Sequence, residues 1–163
     1  MKHELISEMK VDHKKLKELY KKGLKKTTSL EDKLEIFESL APLVKAHAKS
    51  EEAVLYAPTC GMDETKHEAL EGFEEHGLVE LLLEEMKSEG NNDRWEAKFT
   101  VVCELLDHHI EEEEQEYFSK IKNIFSHEER IEMGKEYREM FSRLIDAQKN
   151  ILEPEEFEHL RNH

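Results

Sequence analysis

The chain reads as all-α: an up-down-up-down four-helix bundle with an additional C-terminal helix. Three observations carry that reading. Apolar residues recur at spacings of three and four along long segments, the helical period. Only three Pro and six Gly interrupt 163 residues. The breaks that do occur carry turn or cap chemistry, with short connections that make successive helices antiparallel neighbours.

The first helix is expected over 2–24, with the stripe Ile6, Met9, Leu16 and Tyr20. In KKTTSLEDK, Ser29 followed three residues later by Asp32 resembles a capping box and opens a second helix over 30–57. Pro58 and Gly61 in APTCGMDET stop it. A third helix follows over 64–88 and ends at Gly90, and a fourth runs over 93–124 from Asp93, with Glu96 at its third position. Ser126 and Glu129 repeat the capping device ahead of a fifth over 127–149, whose apolar residues Ile131, Tyr137, Met140 and Leu144 cover the bundle or form a dimer surface. The domain is expected to span 1–149, and a short tail, 150–163, is broken by Pro154.

A formal charge of −15 excludes nucleic acid and anionic membranes as natural partners, because their phosphates would repel the chain. Cys60 and Cys103 are far apart and form no C-x-x-C pattern, so they read as space-filling residues and a disulfide framework is not expected. The N-terminal MKHELISEMKVDHKK lacks the apolar run of a secretion signal, and no stretch approaches the roughly 18–20 apolar residues that span a bilayer. A cytoplasmic protein, monomer or homodimer, is the expectation.

Glu follows four residues after His47, His67, His76, His108 and His109. In a chain with 39% charged residues that spacing alone decides nothing. Helical phase does discriminate. In the first helix the member missing between Met9 and Leu16 is His13. In the second, the stripe Ile36, Leu40, Leu43 continues through His47 and Glu51 to Val54. In the fourth, Trp95, Phe99, Val102 and Leu106 continue as His109 and Glu113. The third is looser, with His76 between Phe73 and Leu83. Four histidines, one per helix, and two glutamates thus occupy positions that the pattern reserves for core side chains. His67 has no place in a clear stripe, and His108 lies about 100° from His109 on the wheel. Tyr20, Tyr56 and Tyr117 read as packing residues; His3, His127, His159 and His163 read as solvated.

An ionised carboxylate buried without a partner costs several kcal/mol even after relaxation. Glu51 and Glu113 would bear that cost, and the interior stripes offer no Lys or Arg to offset it. A bound cation is the simplest compensation. His and Glu at i and i+4 project from one face about 5–6 Å apart and can share a metal. Imidazole with carboxylate suits iron, manganese or zinc, and the absence of thiolates disfavours a structural zinc or iron–sulfur site.

The segments that carry these residues are DH in MKVDHKKL, H-x-x-x-EE in HAKSEEAVLY, EEH in FEEHGLVELLLEEM and H-x-x-x-EE in HIEEEEQEYF. Their order, helix placement and intervals resemble the hemerythrin-like, HHE cation-binding domains over roughly 1–145. The resemblance implies two non-heme iron ions with an oxo or hydroxo bridge. His13 and His47 would hold one, His76 and His109 the other, and Glu51 and Glu113 would bridge them. The oxygen carriers of that family have a further histidine four residues before the one matched by His76, and here Gly72 stands there. Glu80, His108 or water could fill that place. With fewer nitrogen ligands, reversible O2 carriage becomes less expected than oxidation or peroxide turnover. The implied function is a di-iron protein acting on a small diatomic or peroxide ligand (O2, H2O2 or NO), catalase-like in its enzymatic version. The alternative is a non-catalytic iron- or oxygen-responsive domain.

Overall fold

The computed structural model describes residues 4–152, with side chains to residue 149. Five helices make up the described residues, and no strand occurs among them. α1 is Leu5–Leu24. α2 runs Leu30–Glu51, passes through a π-helical turn at Glu52–Tyr56 and ends with Ala57–Thr59. α3 is Lys66–Ser88. α4 runs Asp93–Glu112, passes through a second π-helical turn at Glu113–Tyr117 and ends with Phe118–Ile124. α5 is His127–Leu152. The bundle with an extra C-terminal helix is therefore the architecture of the chain. The tail expected over 150–163 lies outside the described residues from 153 onward.

Local chemistry accounts for the helix ends. Ser29 Oγ accepts from the Asp32 N–H at 3.1 Å. Ser126 and Glu129 form a reciprocal capping box: Glu129 N–H donates to Ser126 Oγ at 3.1 Å, and Ser126 N–H donates to Glu129 Oε2 at 2.7 Å. Asn92 Oδ1 caps α4 by accepting from the Trp95 N–H at 3.0 Å. Pro58 does not end α2 at once: the helix continues through Ala57–Thr59 before the turn that contains Gly61.

α1 packs against α2, α4 and α5; α3 packs against α4 and equally against α2, chiefly its C-terminal part; and α5 lies across α1 and α2. Two apolar clusters result. One, toward the α1–α2 connection, includes Leu16, Leu40, Trp95, Phe99 and Val102. The other, toward the opposite end, includes Leu5, Met9, Leu55, Phe118 and Tyr137. The six phase-selected residues lie in the band between them. No helix among the described residues is long and apolar enough to cross a membrane.

Candidate metal centre

The stripes that predicted the core also deliver the site. His13 is 0% exposed, His47 4%, Glu51 0%, His76 8%, His109 5% and Glu113 3%. Each sits where a core side chain would sit on its helix, so the fold brings all six together. His67 and His108 remain outside, each paired on the surface with the Glu four residues on, at 3.0 and 3.2 Å.

The arrangement is two overlapping groups. His13, His47, Glu51 and Glu113 offer ligand atoms within 4.8 Å of one another, and so do Glu51, His76 and His109. Glu51 belongs to both because its oxygens divide between them. Oε2 lies 3.4 Å from His47 Nε2, while Oε1 lies 3.3 Å from His76 Nε2 and 3.5 Å from His109 Nε2. Glu113 Oε1 lies 3.4 Å from His13 Nε2 and 3.2 Å from His109 Nε2. His13 Nε2, His47 Nε2, both Glu51 oxygens and Glu113 Oε1 are buried and have no hydrogen-bond partner. Buried polar atoms are nearly always satisfied, so five orphans facing one volume call for a ligand. A cation fits them: the donors are imidazole nitrogen and carboxylate oxygen, directed inward from α1, α2 and α4.

Without a cation the same groups neutralise one another. Burial pushes the Glu51 carboxyl up, but the imidazoles of His47, His109 and His76 outweigh it and hold it well below the usual range. For Glu113, burial and the Glu51 charge raise the carboxyl, and His109 and His13 bring it below its ordinary value. Burial lowers His13, yet Glu113 and Glu114 raise it to about 9. His76 and His109 also rise, through Glu51 and Glu113. A metal ligand must be a neutral imidazole, so an entering cation displaces these protons.

The outward Nδ1 atoms face a second set of residues. His47 Nδ1 is 2.6 Å from the Tyr137 hydroxyl, and Tyr137 donates its single proton to Asp12 Oδ2. Tyr137 must therefore accept from His47 Nδ1–H, which leaves the Nε2 lone pair pointing inward. Arg138 Nη1 donates to the other Asp12 oxygen at 3.1 Å. Glu75 Oε1 lies 3.0 Å from His109 Nδ1. Glu52 Oε2 lies 3.5 Å from His76 Nδ1, and Glu114 Oε2 lies 3.9 Å from His13 Nδ1. Hydrogen-bonded outer partners, here Tyr137 for His47 and Glu75 for His109, set tautomer and ring orientation in metal sites, whereas Glu52 and Glu114 stand beside His76 and His13 without a hydrogen bond. Glu52 and Glu114 are the second members of the two EE pairs. Consecutive helical residues point about 100° apart, so one carboxylate faces the interior and the next reaches an imidazole on a neighbouring helix. Both pairs lie where an α-helix passes into a π-helical turn, a local widening that recurs at functional sites.

The place left by Gly72 is filled by neither Glu80 nor His108. Glu80 is at the surface, 3.2 Å from Lys49 Nζ, and His108 is exposed. Tyr56 occupies it: a Cβ built on Gly72 would come within 2.4 Å of the Tyr56 ring. The Tyr56 hydroxyl donates to Glu113 Oε2 at 2.9 Å and lies 3.1 Å from His109 Nε2. Burial, reinforced by the Glu113 and Glu51 charges, keeps this phenol protonated. Tyr56 is therefore part of the site as well as of the packing.

The family model for the hemerythrin HHE cation-binding domain matches residues 4–121. The chain belongs to that family. No curated protein and no solved structure matched it. A His/carboxylate cluster capable of holding metal is what this hemerythrin-family bundle encloses. α5 lies beyond the matched residues, yet its Tyr137 orients His47. From sequence α5 was expected to cover the bundle or form a dimer surface, and the orienting roles of Tyr137, Asp12 and Glu75 were missed. Asp12 and the doubled glutamates were visible beside the candidate ligands in the motifs; Tyr137 left no such signal.

Proposed function

We propose that the chain is a non-heme di-iron protein that binds or turns over O2, H2O2 or NO. The observation that supports this most directly is the set of five unpartnered buried donor atoms on His13, His47, Glu51 and Glu113, with Glu51 shared with the second group of His76 and His109. His13 and His47 with one Glu51 oxygen would hold one ion, and His76 and His109 with the other oxygen would hold the second. Glu113 Oε1 reaches one histidine of each group. When bound, two irons supply Lewis acidity and reversible electron exchange toward a small oxygen- or nitrogen-containing ligand.

The remaining roles belong to the chain. Leu16, Val44, Val79, Leu106 and Ile110 wall a cavity of about 10 Å³ against His47, His76 and His109. That space is at the limit for a single water-sized molecule, about 10–15 Å³, so bulk water is kept away from this side of the centre. The Tyr56 hydroxyl, held protonated, supplies a hydrogen-bond donor where charge collects on Glu113. The Asp12–Tyr137–His47 chain fixes the lone pair of one ligand.

A second reading, a non-catalytic iron- or oxygen-responsive domain, draws support from that same chain, because it ties α5 to the site. Elemental analysis with a visible spectrum tests the shared premise, and peroxide decay separates the two. Two irons per chain with oxo-to-iron charge-transfer bands support the di-iron reading, and no iron on a stably helical protein overturns it. Rapid peroxide loss by the loaded protein supports the enzyme; its absence favours the responsive domain.

A further inference from the structure

Two larger openings reach the buried band from opposite sides, and their charge differs. The cavity between α2 and α3, about 250 Å³, has an apolar wall and carries Lys45, Lys49 and Lys87 against Glu80 and Glu84. The cleft between α3 and α4, about 180 Å³, is lined by Glu68, Glu71, Glu75, Glu112, Glu113 and Glu116 and, among the described residues, by no Lys or Arg. Lys120 offsets part of this charge by pairing with Glu68. The inner end of the cleft is the candidate centre itself, for Tyr56, His109 and Glu113 line it too. Glu113 is 3% exposed, and its Oε1 has no hydrogen-bond partner.

At its rim, Glu75 and Glu112, which line the cleft, and the exposed His108 beside them offer ligand atoms within 4.8 Å of one another. Glu112 and His108 are one turn apart on α4, with Glu112 Oε1 3.2 Å from His108 Nε2. Glu75 reaches across from α3 and accepts from His109 Nδ1 at its inner side. One residue thus touches both the cleft and the buried imidazole.

We propose that the α3–α4 cleft is the entry path for the divalent cation, with Glu75, His108 and Glu112 forming a weak transit site that passes it to Glu113 and His109. This rests on the metal-binding reading above and adds a route and a set of residues to it. The physical reason is that a narrow cleft lined by one sign of charge focuses the field and raises the local cation concentration. Mixed oxygen and imidazole donors at a half-exposed position can strip part of the hydration shell without holding the ion permanently. The opposite cavity, with more ammonium groups than carboxylates, offers a cation no such attraction.

The test is the rate at which metal-free protein takes up Co²⁺, followed by stopped-flow visible absorption, with metal per chain measured at the end point. The variant Glu71→Gln/Glu112→Gln/Glu116→Gln should load about tenfold more slowly, roughly two- to threefold per carboxylate neutralised at several ångströms in water. Its final metal content should equal that of the parent. His108→Ala should slow loading as well. Added salt should slow the parent strongly and the triple variant little. The control Glu80→Gln/Glu84→Gln, on the other opening, should load at the parental rate.

Parental loading by the triple variant overturns the entry path, as does equal slowing by the control pair. A lower final content in the triple variant also overturns it, because those carboxylates would then be holding metal and not conducting it. If the parent takes up no cation at all, the metal-binding reading fails, an outcome distinct from the other three. All substituted positions are exposed or half-exposed on helices, and unchanged circular dichroism confirms that folding is not what was altered.

Discussion

Gly72→Ala is the most informative single substitution. In a helix interior Ala is ordinarily favoured over Gly by about 1 kcal/mol, so propensity alone predicts stabilisation. Here the new Cβ would lie 2.4 Å from Tyr56 Cζ and 2.6 Å from both Cε2 and Oη. Ordinary carbon contacts are about 3.5–4.0 Å, so the ring would have to move by about 1 Å or more. It has little room. Tyr56 is 0% exposed and packs against Phe73, His76 and Tyr117, with ring centroids 5.4, 5.1 and 5.9 Å away. Overpacking costs about 1–3 kcal/mol, and the hydrogen bond to an ionised Glu113 contributes about 1.5–3 kcal/mol. Less the propensity gain, the metal-free protein should lose about 2–4 kcal/mol, or roughly 5–15 °C in Tm. Thermal unfolding of metal-free Gly72→Ala, Tyr56→Leu and the double variant measures this. The double variant should be less destabilised than the sum of the singles, since Leu no longer meets the Cβ. A neutral or stabilised Gly72→Ala would refute the reasoning and remove Tyr56 from the place it is assigned.

Three further outcomes are expected. Glu113→Ala should lower the metal content found by elemental analysis, whereas Glu112→Ala should leave the final content at the parental value, because Glu113 and not Glu112 faces the interior. Tyr137→Phe removes the acceptor for His47 Nδ1–H and should weaken metal affinity by about 10–100-fold in a chelator competition, with helicity unchanged. Acid stability should depend on Glu4. Burial raises its carboxyl, but Arg130, 2.6 Å away through Nε, and the Ser7 and Ile6 backbone outweigh burial and hold it below its ordinary value. A depressed folded value gives stability that is complete above the ordinary carboxylate range and lost as pH falls through the folded value. Arg130→Ala should therefore cost about 1–2 kcal/mol at neutral pH and less in acid; a loss independent of pH would assign the whole effect to packing and to the Arg130 bonds to the Phe125 and Lys122 carbonyls, not to the ion pair.

The bundle was legible because each of its determinants is local. Long segments of period 3.6, Ser29 and Ser126 as caps, and few breakers specify where helices run, and the α4 bounds 93–124 coincide with the helix found. Ligand candidates were legible for a related reason. His13, His47, Glu51, His109 and Glu113 are polar residues in phase with an apolar stripe, and phase is a property of one helix at a time. His76 was weaker in the sequence because its helix carries a diffuse stripe, with Leu78 and Leu81 exposed.

What tertiary structure decided is everything that depends on two helices meeting. Sequence could not show that Gly72 on α3 is small because Tyr56 on α2 needs the space, since that contact depends on how the two helices are set against each other. Nor could it show that Tyr137, beyond the matched residues and in an ordinary amphipathic pattern, reaches His47 across the α2–α5 contact. The doubled glutamates were visible as text, but their division of labour depends on which neighbour stands 100° around each helix. A side chain's burial is written along its own helix; its partner is chosen by the packing of the others.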